Sequence, residues 1–162
     1  MLIKIANYNL SDIEDSVKFL LDRAANSPEV RDLAIQITHD KQDKIKAVYD
    51  WVKSSVAYVP DPVSEGGEEI ELFTSPVKLV RDYKAGNPIG EDCDGQAILA
   101  TSLYRSIGIR ANVVIIDSAG NGLDHAYCQV WSDKLSKYIN CDPTSAYPLG
   151  WDFSYKSKII VD

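Results

Sequence analysis

Apolar residues recur every three or four positions between residues 11 and 56, and close to every second position after residue 110. The first period is that of a helix with one buried stripe, the second that of a half-buried strand. Ser11 with Glu14 reads as a capping box, and Ile13, Val17, Leu20 and Leu21 form the stripe of a first helix ending near Asn26. Ser27, Pro28 and Glu29 announce a second helix, with Pro at its first position and Val30, Leu33, Ala34 and Ile37 facing inward. A third starts near Asp40 and buries Ile45, Val48, Tyr49 and Val52. Residues 57–75, with Pro60, Pro62, Gly66, Gly67 and a run of Glu, read as a surface loop.

Ser75-Pro76 opens a short helix through Leu79, Val80 and Tyr83 that Gly86 and Pro88 end, and residues 87–90 form a turn. The most apolar helix follows, from Cys93 to Ser106, with Gly108 as its stop. Apolar around most of its circumference, it belongs at the centre of the fold. Strands are expected at 111–117, 125–131, 137–141 and, more weakly, 155–161. Helices first and hairpin-linked strands afterwards give an α+β class, an antiparallel sheet packed on the central helix. One domain over residues 1–162 is expected, with a helical part to residue 56 and the core of the fold in 57–162.

Composition narrows the function. The 162 residues are 45% hydrophobic and 25% charged, with a formal net charge of −7. A chain of this length buries enough apolar surface to fold without disulfides or metal. The acidic balance, with no long Lys/Arg run, argues against nucleic acid and anionic membrane as partners. Lys4, Asp12, Glu14 and Asp15 interrupt the N-terminal apolar positions, so neither a signal-peptide core nor a membrane span is read there and a cytoplasmic location is expected. Cys93, Cys128 and Cys141, without a C-x-x-C, fit reduced thiols. The acidic run at residues 65–71 reads as a solvated surface, with recruitment of a basic partner, as within a larger protein or virion, as its functional alternative.

The chemistry gathers in the second half. Cys93 stands at the first turn of the central helix, where free N–H groups and the helix dipole favour a thiolate, while Asp92 and Asp94 oppose it. His125 opens a strand and is the natural base for a thiol near neutral pH. Asp142 follows the next strand, where a carboxylate can hold the imidazole in one tautomer. Nucleophile, base and orienting acid, in that order, make a Cys-His-Asp arrangement for acyl transfer. Cys128 and Cys141 read as structural: an odd offset turns Cys128 away from His125 and Cys141 away from Asp142. His39 reads as a solvent-facing helix end. Glu91, Asp92, Cys93, Asp94, His125 and Cys141 offer ligand types for zinc, but neighbours in a chain seldom converge on one ion. A calcium loop from Asp92 fails because its twelfth residue is Leu103. No metal or other cofactor is expected.

The blocks Gly90-Glu91-Asp92-Cys93-Asp94-Gly95-Gln96-Ala97, Tyr104-Arg105-Ser106-Ile107-Gly108, Asp124-His125-Ala126-Tyr127 and Asn140-Cys141-Asp142-Pro143-Thr144 together resemble the transglutaminase-like core, similar in architecture to papain-type cysteine peptidases. The Asp-Cys-Asp form looks like the small prokaryotic and phage-encoded members. The resemblance implies Cys93 as nucleophile, His125 as base and then acid, and Asp142 as its orienting group. It also implies an oxyanion-stabilising aromatic upstream of the cysteine, for which Tyr58 and Trp51 are the candidates, with the Cys93 backbone N–H as a second donor. Animal transglutaminases carry Trp after the nucleophile where this chain has Asp94, and this chain has no room for their calcium-binding and β-sandwich regions, so calcium-dependent crosslinking is not expected. Hydrolysis of a protein or peptide substrate is favoured. The alternatives are transamidation and a catalytically silent binding or assembly module.

Overall fold

The computed structural model describes residues 1–6, 9–62, 67 and 70–162; most of the acidic run at 65–71 therefore lies outside the described residues. Five helices and eight strands are found among them: β1 (Leu2–Ala6), α1 (Leu10–Ala25), α2 (Pro28–Thr38), α3 (Lys44–Ser55), β2 (Val56–Tyr58), β3 (Ile70–Thr74), α4 (Pro76–Lys84), β4 (Ile89–Glu91), α5 (Cys93–Ser106), β5 (Ala111–Asp117), β6 (His125–Ser132), β7 (Lys137–Cys141) and β8 (Ser157–Val161). The class is α+β. No helix among the described residues is long and apolar enough to cross a membrane.

α5 explains the architecture. Residues 95–104 are buried on every side of it, so it cannot face solvent anywhere along its middle. It lies between α1, α2 and α3 on one side and the sheet strands β5 and β6 on the other. Its start is capped by Asp92, whose carboxylate accepts from the Gly95 N–H at 3.3 Å. Its end is a Schellman turn: Ile109 N–H donates to Tyr104 O and Gly108 N–H to Arg105 O, both at 3.0 Å, with Gly108 at φ +80°.

The sheet runs β7-β6-β5-β8, antiparallel throughout. Val113, Ile115, Ala126, Cys128, Val130 and Cys141 join the core clusters that pack around α5, whereas Val114, Ile116 and Tyr127 form a separate cluster covered by Phe153. Cys128 and Cys141 are register partners and fully buried, as their strand parity suggested.

Three local expectations are corrected. The first helix is capped by Asn9 and Asp12 rather than Ser11 and Glu14: Asp12 N–H donates to Asn9 Oδ1 at 3.1 Å, and Asn9 N–H to Asp12 Oδ2 at 2.9 Å. Asn and Asp supply the same reciprocal geometry two residues earlier. The third helix starts at Lys44 under the cap of Asp43, because Asp40 takes a left-handed φ of 55° that no helix continues through. The regions read as loop and turn contain β2, β3 and β4, and β1 was not foreseen at all. β1 pairs antiparallel with β3, and β2 pairs parallel with β4, joining Tyr58 to Glu91. Gly90 permits that ladder, since a Cβ there would lie 2.6 Å from Val59 Cγ2.

Candidate active site

Cys93 is the first residue of α5, and β6 begins at His125. Asp142 follows directly after β7, and the antiparallel β6–β7 ladder brings it beside His125. The His125 Nε2 and Asp142 Oδ2 atoms are 2.7 Å apart. An ionised carboxylate only accepts, so Nε2 carries the hydrogen and Nδ1 is left free to accept from a donor. Asp142 Oδ1 accepts from the Thr144 N–H at 2.9 Å and from the Thr144 hydroxyl at 2.7 Å. Burial opposes ionisation of Asp142, yet the His125 and Thr144 hydrogen bonds outweigh it and hold the carboxyl below its ordinary value. The sequence motif gives Thr144 no role, although an Asp two residues before Thr carries the local signal for such a turn.

The sum left open at Cys93 falls against the thiolate. Burial pushes the thiol up to about 12, Asp94, Asp92 and Asp142 add to the shift, and the Ala126 backbone N–H, hydrogen-bonded to the sulfur, offsets only part of it. The neighbouring carboxyls repeat the pattern. Burial pushes Glu91 up to about 7 and Asp61 up to about 6, with Asp92 adding to both shifts. Asp94 is raised by burial and by the adjoining carboxyls of Asp92 and Glu71. Glu91 is packed over the first turn of α5: a Cβ on Gly95 would lie 2.7 Å from Glu91 Cβ and overlap its carboxylate.

Cys93 and His125 open into a cleft of about 670 Å³, together with Tyr58, Asp92, Asp94 and Ala126. Asp142 sits behind His125, its side chain 3% exposed against 26% for the imidazole. Of the two aromatic candidates, Tyr58 lines this cleft. Trp51 does not: it borders a different groove with Lys46 and Asp50, and packs edge-on against Tyr83 at 4.9 Å. His39 is exposed and paired with Asp40 at 3.1 Å. Among the described residues no group of three or more His, Cys, Asp or Glu is placed to hold a metal.

The chain belongs to the transglutaminase-like superfamily, whose family model matches residues 31–143. Solved structures share the fold. A candidate cysteine protease from Cytophaga hutchinsonii is 17% identical with a TM-score of 0.57, over 98% of this chain and 61% of that one. A candidate protease from Parabacteroides distasonis is 16% identical with a TM-score of 0.58, over 83% of this chain and 26% of that one. A chain of the Rad4–Rad23 complex bound to a 6-4 photoproduct UV lesion is 13% identical with a TM-score of 0.54, over 87% of this chain and 38% of that one. This chain thus spans between a quarter and three-fifths of the length of these neighbours. No curated protein matches it significantly by sequence.

Proposed function

We propose that residues 1–162 act as one cysteine-dependent acyl-transfer unit that hydrolyses a peptide or amide bond. The observation that supports this most is that His125, paired with Asp142 at 2.7 Å, opens into the same cleft as Cys93 at the start of α5. In this reading the thiol is protonated at rest, as its pKa near 12 requires. His125 Nδ1 takes the Sγ proton as sulfur bonds to the carbonyl carbon, which makes the step general-base attack rather than attack by a preformed ion pair. The oxyanion is met by the Cys93 N–H, with the Tyr58 hydroxyl as a second donor. His125 then gives its proton to the nitrogen as the C–N bond breaks, leaving a thioester and a free amine. Water attacks the thioester with its proton passing to Nδ1. The acid departs as the thiol recovers that proton.

Hydrolysis and transamidation would use the same base, and hydrolysis, which needs no acceptor beyond water, is the reading carried forward. One observation favours a second reading, a catalytically silent binding module: burial, and after it the carboxyls around Cys93, suppress its thiolate. Fold likeness does not choose between the two.

Iodoacetamide labelling of wild type and His125→Ala across pH, with the adduct located by mass spectrometry, tests the proposal. Cys93 is expected to react ahead of the fully buried Cys128 and Cys141, and the His125→Ala rate near pH 7 to fall by about 10²-fold. Equal rates in the two proteins would transfer support to the silent module.

A further inference from the structure

Asp142 fixes one nitrogen of His125 but leaves the imidazole free to swing about its Cα–Cβ and Cβ–Cγ bonds unless something bounds the ring itself. Two aromatic rings meet it. Tyr127, two residues along the same strand, lies 6.2 Å away and tilted by 36°. Phe153 lies closer, at 5.8 Å and 60°, an edge-to-face contact within the favourable range. Phe153 also packs on Tyr127 at 5.0 Å and on Tyr147 at 6.0 Å, and Tyr147 is stacked on Trp151 at 4.5 Å. His125 therefore ends an aromatic row that Phe153 links to the surface.

The segment that delivers Phe153 has no regular structure, so its position depends on anchors. Gly150 N–H donates to Asn140 O at 2.8 Å, and the Asn140 amide donates to Trp151 O at 2.9 Å. At the far end Lys156 N–H donates to Asp117 O at 2.8 Å. Asn140 stands two residues before Asp142, and Asp117 accepts from Gly120, Asn121 and Gly122 in the turn that leads to His125. The strap is thus tied at both ends to the two chain segments that carry His125 and Asp142.

Resting on the acyl-transfer reading above, we infer that Phe153 is a positioning residue for His125. Its ring bars the imidazole from rotating away from Asp142 and shields the Nε2–H to Asp142 bond from water. It touches no reacting atom. The strap makes the geometry of the base depend on residues 147–156, which lie outside the matched family region.

The test is ¹⁵N-edited NMR of the imidazole N–H groups in the intact chain, with Cys93 alkylation measured in parallel. The protein has two histidines, and the exposed His39 serves as an internal reference. In wild type the His125 Nε2–H is expected to exchange slowly. In Phe153→Ala that exchange should accelerate by about tenfold and Cys93 alkylation near pH 7 should fall by about tenfold, with Phe153→Tyr restoring both. If Phe153→Ala does not fold, Phe153→Leu replaces it, with smaller changes in the same directions. A folded variant lacking the aromatic ring, with exchange and alkylation both at wild-type rates, overturns the inference. Alkylation that ignores His125→Ala overturns the acyl-transfer reading instead, and the exchange measurement then still decides whether Phe153 holds the ring.

Discussion

Asp142 and Glu91 are almost equally withdrawn from solvent, 4% and 7% exposed, yet their protonation is driven in opposite directions. Asp142 takes hydrogen bonds from His125 and from both donors of Thr144, and stays ionised below its ordinary range. Glu91 has hydrogen bonds from Thr74 but lies beside Asp92 and Asp61, and burial pushes it up to about 7. Burial raises both acids; at nearly equal burial, the donors aimed at each, set against the like charges beside it, decide which way its protonation goes. Cys93 stands on the crowded side: burial first, and Asp94 and Asp92 after it, raise its thiol, which explains why a helix N-terminus fails to yield a resting thiolate here.

The strongest way to break this contrast is to remove the satisfied acid. Asp142→Ala should lower Cys93 alkylation near pH 7 by about 10²-fold or more, because His125 loses its tautomer and orientation together. An alkylation rate within a few-fold of wild type would detach Asp142 from the site. Next in size is the crowded acid. Glu91 holds a folded-state pKa near 7 against an ordinary 4.5, so its stabilising contribution is whole below pH 4.5 and is lost as pH rises through 7. Glu91→Gln should therefore stabilise the protein by about 2 kcal/mol at pH 8 and change it little at pH 4. Thermal melts of both proteins at the two pH values check this; an equal shift at both would mean that packing, not charge, is responsible.

The smallest effect sharpens the same comparison from the other side. Thr144→Val removes one of three donors to Asp142 and should cost about 1 kcal/mol near neutral pH. Asp142 has a depressed pKa, so its contribution is present above 3.8 and is lost as pH falls through the lower folded value. The acid-unfolding midpoint of Thr144→Val, followed by circular dichroism, should accordingly move to higher pH. A midpoint unchanged or lowered would show that the Thr144 hydroxyl is not what holds Asp142 ionised.

The legible parts of the fold are those with long, strong periods. α5 begins and ends at the residues expected, and β5, β6 and β7 agree with their expected spans to within a residue. β2 and β4 were illegible because three residues carry no period, and their pairing depends on partners more than thirty positions away. That ladder is also why Tyr58 and Trp51 could not be ranked: the chain leaves the helix at Val56, sending Tyr58 to Glu91 and the cleft while Trp51 stays against Tyr83. Cys93, His125 and Asp142 could be picked out as candidates from residue type, order and the family resemblance, and folding brings His125 and Asp142 together. The charge state at Cys93 could not, because it is a sum over groups that only folding brings near. Phe153 left no signal either, as it stands in an irregular strap held by backbone bonds to Asn140 and Asp117.

The β6–β7 ladder also has a bearing on biosynthesis. His125 and Asp142 are separated by 17 residues, which at ~5–20 residues per second take the ribosome on the order of seconds to add. During that interval the thiol of Cys93 already exists but the carboxylate that bonds to His125 does not, and the strap bearing Phe153 comes later still. The His125–Asp142 pair is therefore a late event in synthesis, out of reach of the nascent chain until residue 142 has been added.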